Sequence, residues 1–310
     1  MIPVRVAVAL ILLVTLLTGC GRHDPAPRHG EPRLVCLSPA LTQAVIDLGM
    51  GDAIVGVAQN DDAAPDHAAV VGNYTDINLE ALAAVNPTHV MLQAGISGPP
   101  RVLTDLADAG RLRLATFPYP GSIAEVADML HMDGPHAGQP TLGEVLQLTT
   151  EAAALRRDML ARIEAIRDVV AGRPRPRVLM IFGLGPIMAS GGGTVLNQML
   201  DAAGGVNAAP QTATAPTLDR EKLLGINADV AILLLPGSPP LESLDNDPRL
   251  AELRGPGLAL WEQRRIHLIN DKQALLPSTS MPRIIAAMAR VLHPDSAERI
   301  DAAVALEVSP

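Results

Sequence analysis

Two glutamates occupy matching positions in a repeat within the chain. The segment NLEALAAVNPTHVML (78–92) aligns with DREKLLGINADVAIL (219–233), and the alignment pairs Glu80 with Glu221. Each glutamate follows an Asn or Asp that suits a helix N-cap, so both carboxylates are predicted in first helical turns. An acid at that place can simply favour the helix dipole. A matched pair on two equivalent halves instead suits docking onto arginines of a two-fold symmetric partner, which is our prediction.

An acidic loop and a glycine-rich turn are further polar candidates. The acidic loop could bind a cation, but its spacing matches no standard zinc or calcium loop, and we interpret it as solvated: Asp61, Asp62, Asp66, His67. The stretch SGGG (190–193) could cradle an anion, yet it lacks the ending of a phosphate loop. Close approach of another backbone segment explains its glycines better. His131 and His136 are interpreted as loop residues, and no metal site is predicted.

The sequence offers little support for catalysis or for nucleic-acid binding. It has no GxSxG or HExxH motif and no paired cysteine and histidine arrangement. Cys36 lies in an apolar run, where cysteine is usually an inert small hydrophobe. A net charge of -9 and an aromatic content of 2% argue against a nucleic-acid partner. We therefore predict that the protein is not an enzyme, with an α/β hydrolase as the enzymatic alternative.

The amino terminus has the features of an export signal. Arg5 precedes an apolar run from Val6 to Leu17 that is too short to span a bilayer. The order Leu17-Thr18-Gly19-Cys20 resembles the bacterial lipobox. The resemblance implies a signal peptide over 1–19, lipidation of Cys20 and a flexible tether over 20–32. The protein is then exported and anchored as a lipoprotein, in the periplasm or on the outer face of a membrane; an ordinary secretory signal is the alternative.

From Arg33 onward, short apolar runs alternate with segments of helical period, which predicts α/β layers around parallel strands. Strands are predicted at 34–38, 53–58, 88–93, 113–117, 177–183, 229–235 and 265–270. Helices are predicted between them, for example at 41–48, 79–85, 195–203 and 220–226. An apolar stripe predicts one long rigid helix over 142–171: Leu155, Met159, Ile163, Ile166, Val170. The predicted fold is two Rossmann-like lobes with mainly parallel sheets, residues 33–140 and 174–310, joined by a helix within 141–173.

Five longer segments stand in a fixed order along the chain: RLVCLSPALTQAVIDLGMGDAIVGVAQND, VVGNYTDINLEALAAVNPTHVML, RVLMIFGLGPIMASGGGTVLNQMLDAAGGVNAA, TLDREKLLGINADVAIL and MPRIIAAMARVLHP. Together they resemble the periplasmic binding proteins of the cobalamin, haem and iron-siderophore importers, and the pattern is closest to the cobalamin-binding member. The resemblance covers residues 33–293. It implies a ligand cleft between the lobes and delivery to an ABC permease dimer with its ATPase. It also implies that Glu80 and Glu221 pair with arginines of that dimer.

The resemblance further implies ligand contacts on both walls of the cleft. Tyr74 and Met188 stand where the cobalamin binder has a tryptophan and a phenylalanine, and Ala215 stands where it has another aromatic residue. The predicted ligand-binding set is Ser38, Pro39, Tyr74, Met188, Ser278, Thr279 and Arg283. Ordinary roles stay open for two of these residues. Tyr74 could be a half-buried tyrosine with a satisfied hydroxyl, and Arg283 could form a salt bridge at a helix start.

The ligand class stays open between a corrinoid, haem and a ferric siderophore. Two of three aromatic contacts are missing, so the ligand either differs from cobalamin or is held by aliphatic and polar groups. Haem would require Tyr74 or a histidine such as His67 as iron ligand. We expect a cobalamin-like corrinoid or an iron complex as the transported solute, no cofactor of the protein's own, and a monomer. A sensory or scaffold lipoprotein with the same fold is the alternative.

Overall fold

Two β-sheets organise the computed structural model, which describes residues 31–95, 97–134 and 138–305. The predicted signal peptide, Cys20, most of the tether and His136 lie outside the described residues. All seven predicted strands coincide with observed strands. The four strands that we did not predict are only two or three residues long, which is too short for an alternating pattern to be recognised.

The first sheet is entirely parallel. Its strands lie in the order β3-β2-β1-β4-β5: β1 Leu34–Cys36, β2 Ile54–Val57, β3 Ala69–Val70, β4 His89–Ala94 and β5 Arg113–Pro118. Four helices flank it: α1 Pro39–Asp47, α2 Leu79–Ala84, α3 Arg101–Asp108 and α4 Ile123–Leu130. Cys36 and Met91 pack into one core, whereas Val35 and Val90 pack into another on the opposite face. Burial on both faces explains the continuous apolar runs, and we call this part the N-terminal lobe.

The second sheet is mixed. Its strands lie in the order β11-β10-β6-β7-β9, with β8 beside β6: β6 Arg177–Leu184, β7 Ile187–Ala189, β8 Val206–Asn207, β9 Thr217–Leu218, β10 Val230–Leu234 and β11 Ile266–Ile269. The pairs made by β7 are antiparallel and the others are parallel. The helices are α7 Val195–Ala202, α8 Arg220–Gly225, α9 Ala259–Glu262, α10 Met281–Leu292 and α11 Ala297–Val304. Short 3₁₀ turns occupy Gly51–Ala53, Pro248–Leu253 and Pro294–Ser296. We call the part around this sheet the C-terminal lobe.

Two helices, rather than the single one predicted, connect the lobes: α5 Leu142–Leu146 and α6 Thr149–Val170. Gln147 adopts a left-handed conformation with φ 60° and ends α5. Gly143 allows α5 to fold back onto α6, because an added Cβ would lie 2.7 Å from the Cβ of Ala152. The 22 residues of α6 span about 33 Å, shorter than the ~40 Å expected for one continuous helix.

One contiguous core joins the two lobes through α6. The predicted apolar stripe is confirmed: Met159, Ile163, Ile166 and Val170 are buried in this core, and Leu155 packs against it half-buried. The same core includes Met91 from the first sheet and Met180 from the second. The lobes therefore share an interior that α6 fills. Within the described part of the chain, no helix is long and apolar enough to cross a membrane.

Candidate functional site

The repeat reappears as matched hydrogen bonds at the start of each sheet. In the N-terminal lobe, the Arg33 N–H donates to Thr88 Oγ1 at 2.8 Å, and the Thr88 N–H donates to the Arg33 carbonyl at 2.9 Å. In the C-terminal lobe, the Arg177 N–H donates to Asp229 Oδ2 at 2.8 Å, and the Asp229 N–H donates to the Arg177 carbonyl at 2.7 Å. The two lobes thus hold equivalent segments against their sheets in the same way.

The guanidinium groups of Arg33 and Arg177 also form equivalent hydrogen bonds in the two lobes. Arg33 Nε donates to the carbonyl of Asn86 at 3.1 Å, just after α2. Arg177 Nε donates to the carbonyl of Asn227 at 2.6 Å, just after α8. The helices that carry Glu80 and Glu221 are therefore fixed at their carboxyl ends by equivalent contacts.

Glu80 and Glu221 are exposed and lie in the first turns of α2 and α8. The N-cap side chains of Asn78 and Asp219 each accept a hydrogen bond from the backbone N–H three residues later, at 3.0 and 2.9 Å. Each helix leads into a parallel strand, so its first turn lies near the carboxyl edge of its sheet. The two carboxylates thus have equivalent places on the two lobes, and their contact with a permease stays a prediction.

A surface recess accompanies each of these helices. A recess of about 220 Å³ beside α2 is lined by residues that include Leu79, Leu82 and Val102. A recess of about 590 Å³ beside α8 is lined by residues that include Leu218, Leu223 and Arg254. Side chains of a docking partner would therefore find space beside each glutamate.

Ser38 and Pro39 lie where the connections of the first sheet diverge. The chain leaves β1 towards β2 on one side and later returns to β4 on the other, which makes this edge the topological switch point where α/β sheets hold ligands. Pro39 is the first residue of α1, and Ser38 precedes it. Ser38 Oγ donates to Gln93 Oε1 at 2.7 Å, and the two residues are 7% and 5% exposed. We did not predict Gln93, although a polar residue near the end of the apolar strand β4 was the available signal.

Tyr74 and Met188 each make their observed contacts within one lobe. Tyr74 packs half-buried against the outer core of the N-terminal lobe, and its hydroxyl donates to the Gly98 carbonyl at 2.5 Å. Met188 lies in β7 between Ile187 and Ala189, which pack into the outer core of the C-terminal lobe. Alternation along the strand therefore turns Met188 to the opposite face. The ligand-binding roles of both residues stay predictions.

Contacts within the protein engage the three predicted residues near α10. Ser278 is fully buried with its Oγ 2.7 Å from Ser280 Oγ, and Thr279 Oγ1 donates to Asp47 Oδ2 at 2.5 Å. Arg283 forms an ion pair with Asp271 at the start of α10. A ligand would have to share these groups with their present partners, and its contact with them stays a prediction.

Four polar contacts cross between the lobes: Lys272 Nζ with Asp62 Oδ1 at 3.3 Å, Gln273 Nε2 with Gln43 Oε1, the Ile123 N–H with Gln198 Oε1 at 3.0 Å, and Thr279 Oγ1 with Asp47 Oδ2 at 2.5 Å. The loops after β2 and β11 supply Asp62 and Lys272, and the loop after β5 leads into Ile123, the first residue of α4. All three loops leave the carboxyl ends of their strands, and the Asp62–Lys272 pair joins the carboxyl edge of one sheet to that of the other. A solute site at the switch point would lie between them.

Thr42, Asp61 and Cys36 form a polar cluster next to Asp62, one of the residues that contact the other lobe. Thr42 Oγ1 donates to Asp61 Oδ2 at 2.6 Å. Burial raises the pKa of Asp61, while the hydrogen bonds from Thr42 and the Ala63 N–H lower it and the neighbouring Asp62 raises it. Burial also raises the pKa of the Cys36 thiol to about 12; the Thr42 hydrogen bond opposes this shift and Asp61 adds to it. Cys36 therefore carries a protonated thiol at neutral pH.

The acidic loop and the glycine turn have ordinary structural partners. In residues 31–95, 97–134 and 138–305, no group of three or more His, Cys, Asp or Glu could hold a metal ion. An added Cβ on Gly191 would lie 1.9 Å from the Ala213 carbonyl oxygen, and one on Gly192 would lie 2.5 Å from the Gln211 carbonyl oxygen. Close backbone approach thus explains these glycines, as predicted. His131 Nε2 lies 3.6 Å from Asp133 Oδ1.

Comparison with known proteins defines the class of this fold. Residues 34–255 match the model of the periplasmic binding protein family. A vitamin B12-binding protein of Salmonella paratyphi A is 26% identical over 212 residues, 67% of this chain and 74% of that protein. YvrC of Bacillus subtilis, described as an ABC transporter substrate-binding lipoprotein, is 21% identical over 93% of this chain and 96% of that protein. The apo structure of the periplasmic haem-binding protein RhuT from Roseiflexus has a TM-score of 0.67 and 25% identity, covering 88% of this chain and 100% of that one.

The family match, on a fold of two α/β lobes that share one core, identifies the class as solute-binding proteins. The chain belongs to the periplasmic binding protein family. The resemblance seen in the sequence and the predicted two-lobed α/β fold are therefore confirmed.

Proposed function

We propose that this protein is the solute-binding component of an ABC importer, which captures a cobalamin-like corrinoid and delivers it to a permease dimer with its ATPase. The observation that carries the proposal is the equivalent placement of Glu80 and Glu221 in first turns on the two lobes. A two-fold permease offers the same arginine-bearing surface twice, and two equivalent carboxylates fit such a surface. The relative named as a vitamin B12-binding protein supports the choice of ligand. In this role the protein binds and releases its solute without chemical change.

The solute would lie in the crevice where the carboxyl edges of the sheets meet. Ser38 and Pro39 would contribute from the N-terminal lobe and Met188 from the C-terminal lobe. Tyr74, Ser278, Thr279 and Arg283 stay in the proposed set, and each of the last three would have to share or exchange a present partner. The crevice is built on strand ends and helix starts, so little backbone has to be ordered when the solute binds.

Haem is the second candidate, because the structural relative RhuT is named as a haem-binding protein. In that case Tyr74 would ligate iron through its hydroxyl oxygen. The hydrogen bond from that hydroxyl to the Gly98 carbonyl would then be lost. A corrinoid would instead pack against the Tyr74 ring and leave that hydrogen bond in place, which is why we prefer it.

We further propose that Cys20 carries lipid and ties the protein to a membrane as an exported, monomeric lipoprotein. The lipobox-like order of residues 17–20 supports this proposal, as does the lipoprotein relative YvrC. Mass spectrometry of the protein purified from its host tests it directly. A diacylated or triacylated amino-terminal Cys20 is expected, and an unmodified residue 20 or an intact leader would contradict the anchor.

The docking role is tested by replacing both glutamates with alanine. Glu80→Ala together with Glu221→Ala should abolish solute uptake by cells, because two charge-assisted contacts with the permease are lost, weakening docking roughly a hundredfold or more. Solute affinity of the purified protein should stay unchanged, since neither residue lies at the switch point. Radiolabelled uptake and calorimetry provide the two measurements.

A matched control is the pair Glu151→Ala and Glu298→Ala. These exposed glutamates also lie in first helical turns, of α6 and α11, and their loss changes the net charge equally. The control should transport normally. Equal loss of uptake in both double variants, or loss of solute affinity in the Glu80 and Glu221 variant, would refute the docking role.

A further inference from the structure

Ser38 and Gln93 form a buried polar pair at the carboxyl ends of two adjacent strands, β1 and β4. Serine is a preferred N-cap, yet the Ser38 side chain makes no capping hydrogen bond to α1. Its proton goes instead to Gln93 Oε1 at 2.7 Å. Burial of more than nine-tenths of both residues gives this pair a fixed geometry at the topological switch point.

The pair keeps one donor and one acceptor for another molecule. The Gln93 amide nitrogen has two hydrogens, and its acceptor among the described residues is the Met129 sulfur at 3.8 Å, a weak acceptor. The Met129 sulfur can accept but cannot donate, which favours the amide orientation with nitrogen towards sulfur and oxygen towards Ser38. Ser38 Oγ retains its lone pairs after donating, and within the described part of the chain no group donates to it. A spare N–H therefore lies beside a spare lone pair.

A carboxamide has the complementary pattern. Its carbonyl oxygen can accept from the Gln93 N–H while its own N–H donates to Ser38 Oγ. A carboxylate has only acceptors, so one oxygen would face the Ser38 lone pairs. Turning the Ser38 proton towards that oxygen would leave Gln93 Oε1 buried without a donor, and such an orphan acceptor is costly.

We propose that Ser38 and Gln93 form a carboxamide-reading subsite of the solute crevice. This inference rests on the proposed function and narrows its solute class to molecules with peripheral carboxamides. Corrinoids carry carboxamides around the ring, whereas haem carries two propionate carboxylates. Gln93 is then a specificity-determining residue that separates the two tetrapyrrole classes.

The test compares two pairs of probes that differ in this group. The first pair is dicyanocobinamide and dicyanocobyrinic acid, in which carboxylates replace the carboxamides of the corrin ring. The second pair is the bis-carboxamide of haemin and haemin itself. Calorimetry on the full chain should show about tenfold tighter binding of the carboxamide member of whichever pair binds.

Variants separate the subsite from general charge effects. Gln93→Leu frees the Ser38 proton for a carboxylate, so the preference should vanish or reverse. Ser38→Ala removes the lone pairs that oppose a carboxylate and should also abolish the preference. Ser296 is another buried serine, in the C-terminal lobe, so Ser296→Ala should leave the preference for carboxamides unchanged. Repulsion of acids by the net-negative protein acts on all variants alike, so the change in the affinity ratio isolates the subsite.

The outcomes distinguish this inference from the function on which it rests. Two results would overturn the subsite and leave the importer role unaffected. One is equal affinity for both members of a pair, and the other is a carboxamide preference that Gln93→Leu and Ser38→Ala both leave unchanged in folded protein. Failure of all four probes to bind the wild-type chain overturns the tetrapyrrole solute and the subsite together. A carboxamide preference that is lost in Gln93→Leu and Ser38→Ala and kept in Ser296→Ala supports both the subsite and the tetrapyrrole solute.

Discussion

Cys36 lies fully buried in β1, and its raised pKa determines how the thiol reacts. With a pKa of about 12, roughly one thiol in ten thousand is ionised at pH 8, whereas about a quarter is ionised in an unfolded chain. Since the thiolate is the nucleophile, alkylation of the folded protein should be at least about a thousandfold slower than in denaturant.

The measurement uses iodoacetamide on the Cys20→Ser variant, in which Cys36 is the remaining cysteine of the sequence. Mass spectrometry of samples taken over time gives the two rates. Comparable labelling in the folded and unfolded states would contradict the burial of Cys36. Raising the pH from 8 to 10 should accelerate labelling of the folded protein, because the thiolate fraction rises towards the pKa.

At the scale of single residues, the sequence predicted exposed acids better than buried polar contacts. Glu80 and Glu221 could be placed in first turns because an N-cap residue is a local signal. The Ser38 and Gln93 contact joins residues 55 positions apart, so local patterns carry no trace of it. The partners of Thr279 and Arg283 likewise depend on how the 270–283 segment packs against α1 and itself.

The junction of α5 and α6 makes a specific prediction about packing. Gly143→Ala should lower the free energy of unfolding by about 1–3 kcal/mol, because the new Cβ would overlap that of Ala152. Adding Ala152→Gly removes the overlap at a helix cost of about 1 kcal/mol, so the double variant should lose less than the sum of the single variants. Chemical denaturation of the three variants measures this coupling.

Gly225→Ala serves as the control for the Gly143 substitution. Its added Cβ meets no atom within 4 Å, so stability should stay level or rise slightly. A Gly143→Ala variant as stable as the wild type would show that α5 does not pack closely on α6.

The elements themselves followed largely from periodicity. The apolar runs predicted all strands of four or more residues, and the stripe on α6 predicted its buried face. The break at Gln147 was missed, because the period of apolar residues continues across it. A left-handed residue, Gln147, ends α5, and Gly143 lets α5 pack closely on α6; a tertiary contact of this kind is not encoded in helical period.

The whole molecule is held together by a core that runs through both lobes. Residues of α6 pack with both sheets in one cluster, and four polar contacts join the two lobes. The ion pair of Asp62 and Lys272 is partly exposed and contributes at most about 1 kcal/mol. The shared core, rather than the polar contacts between the lobes, therefore holds the lobes in place relative to each other. We therefore expect the lobes to unfold together and to move little when solute binds.

The repeat explains why the sequence alone leads to a prediction of two-fold docking but not to one of the solute. Arg33 and Arg177 have equivalently placed partners in the two lobes, so the local sequence of each half specifies the placement of its glutamate. The proposed solute crevice would be assembled from strand ends of both lobes and would depend on long-range packing. Only the polar termini of apolar strands hint at it from the sequence.

The central measurement is calorimetric titration of the purified full chain with cyanocobalamin, haemin and ferrichrome in separate experiments. We expect saturable binding of one cyanocobalamin per chain, with weaker binding of haemin and none of ferrichrome. Tight binding of haemin or ferrichrome without measurable binding of cyanocobalamin, or no binding of any of the three, would contradict the proposed corrinoid-binding role.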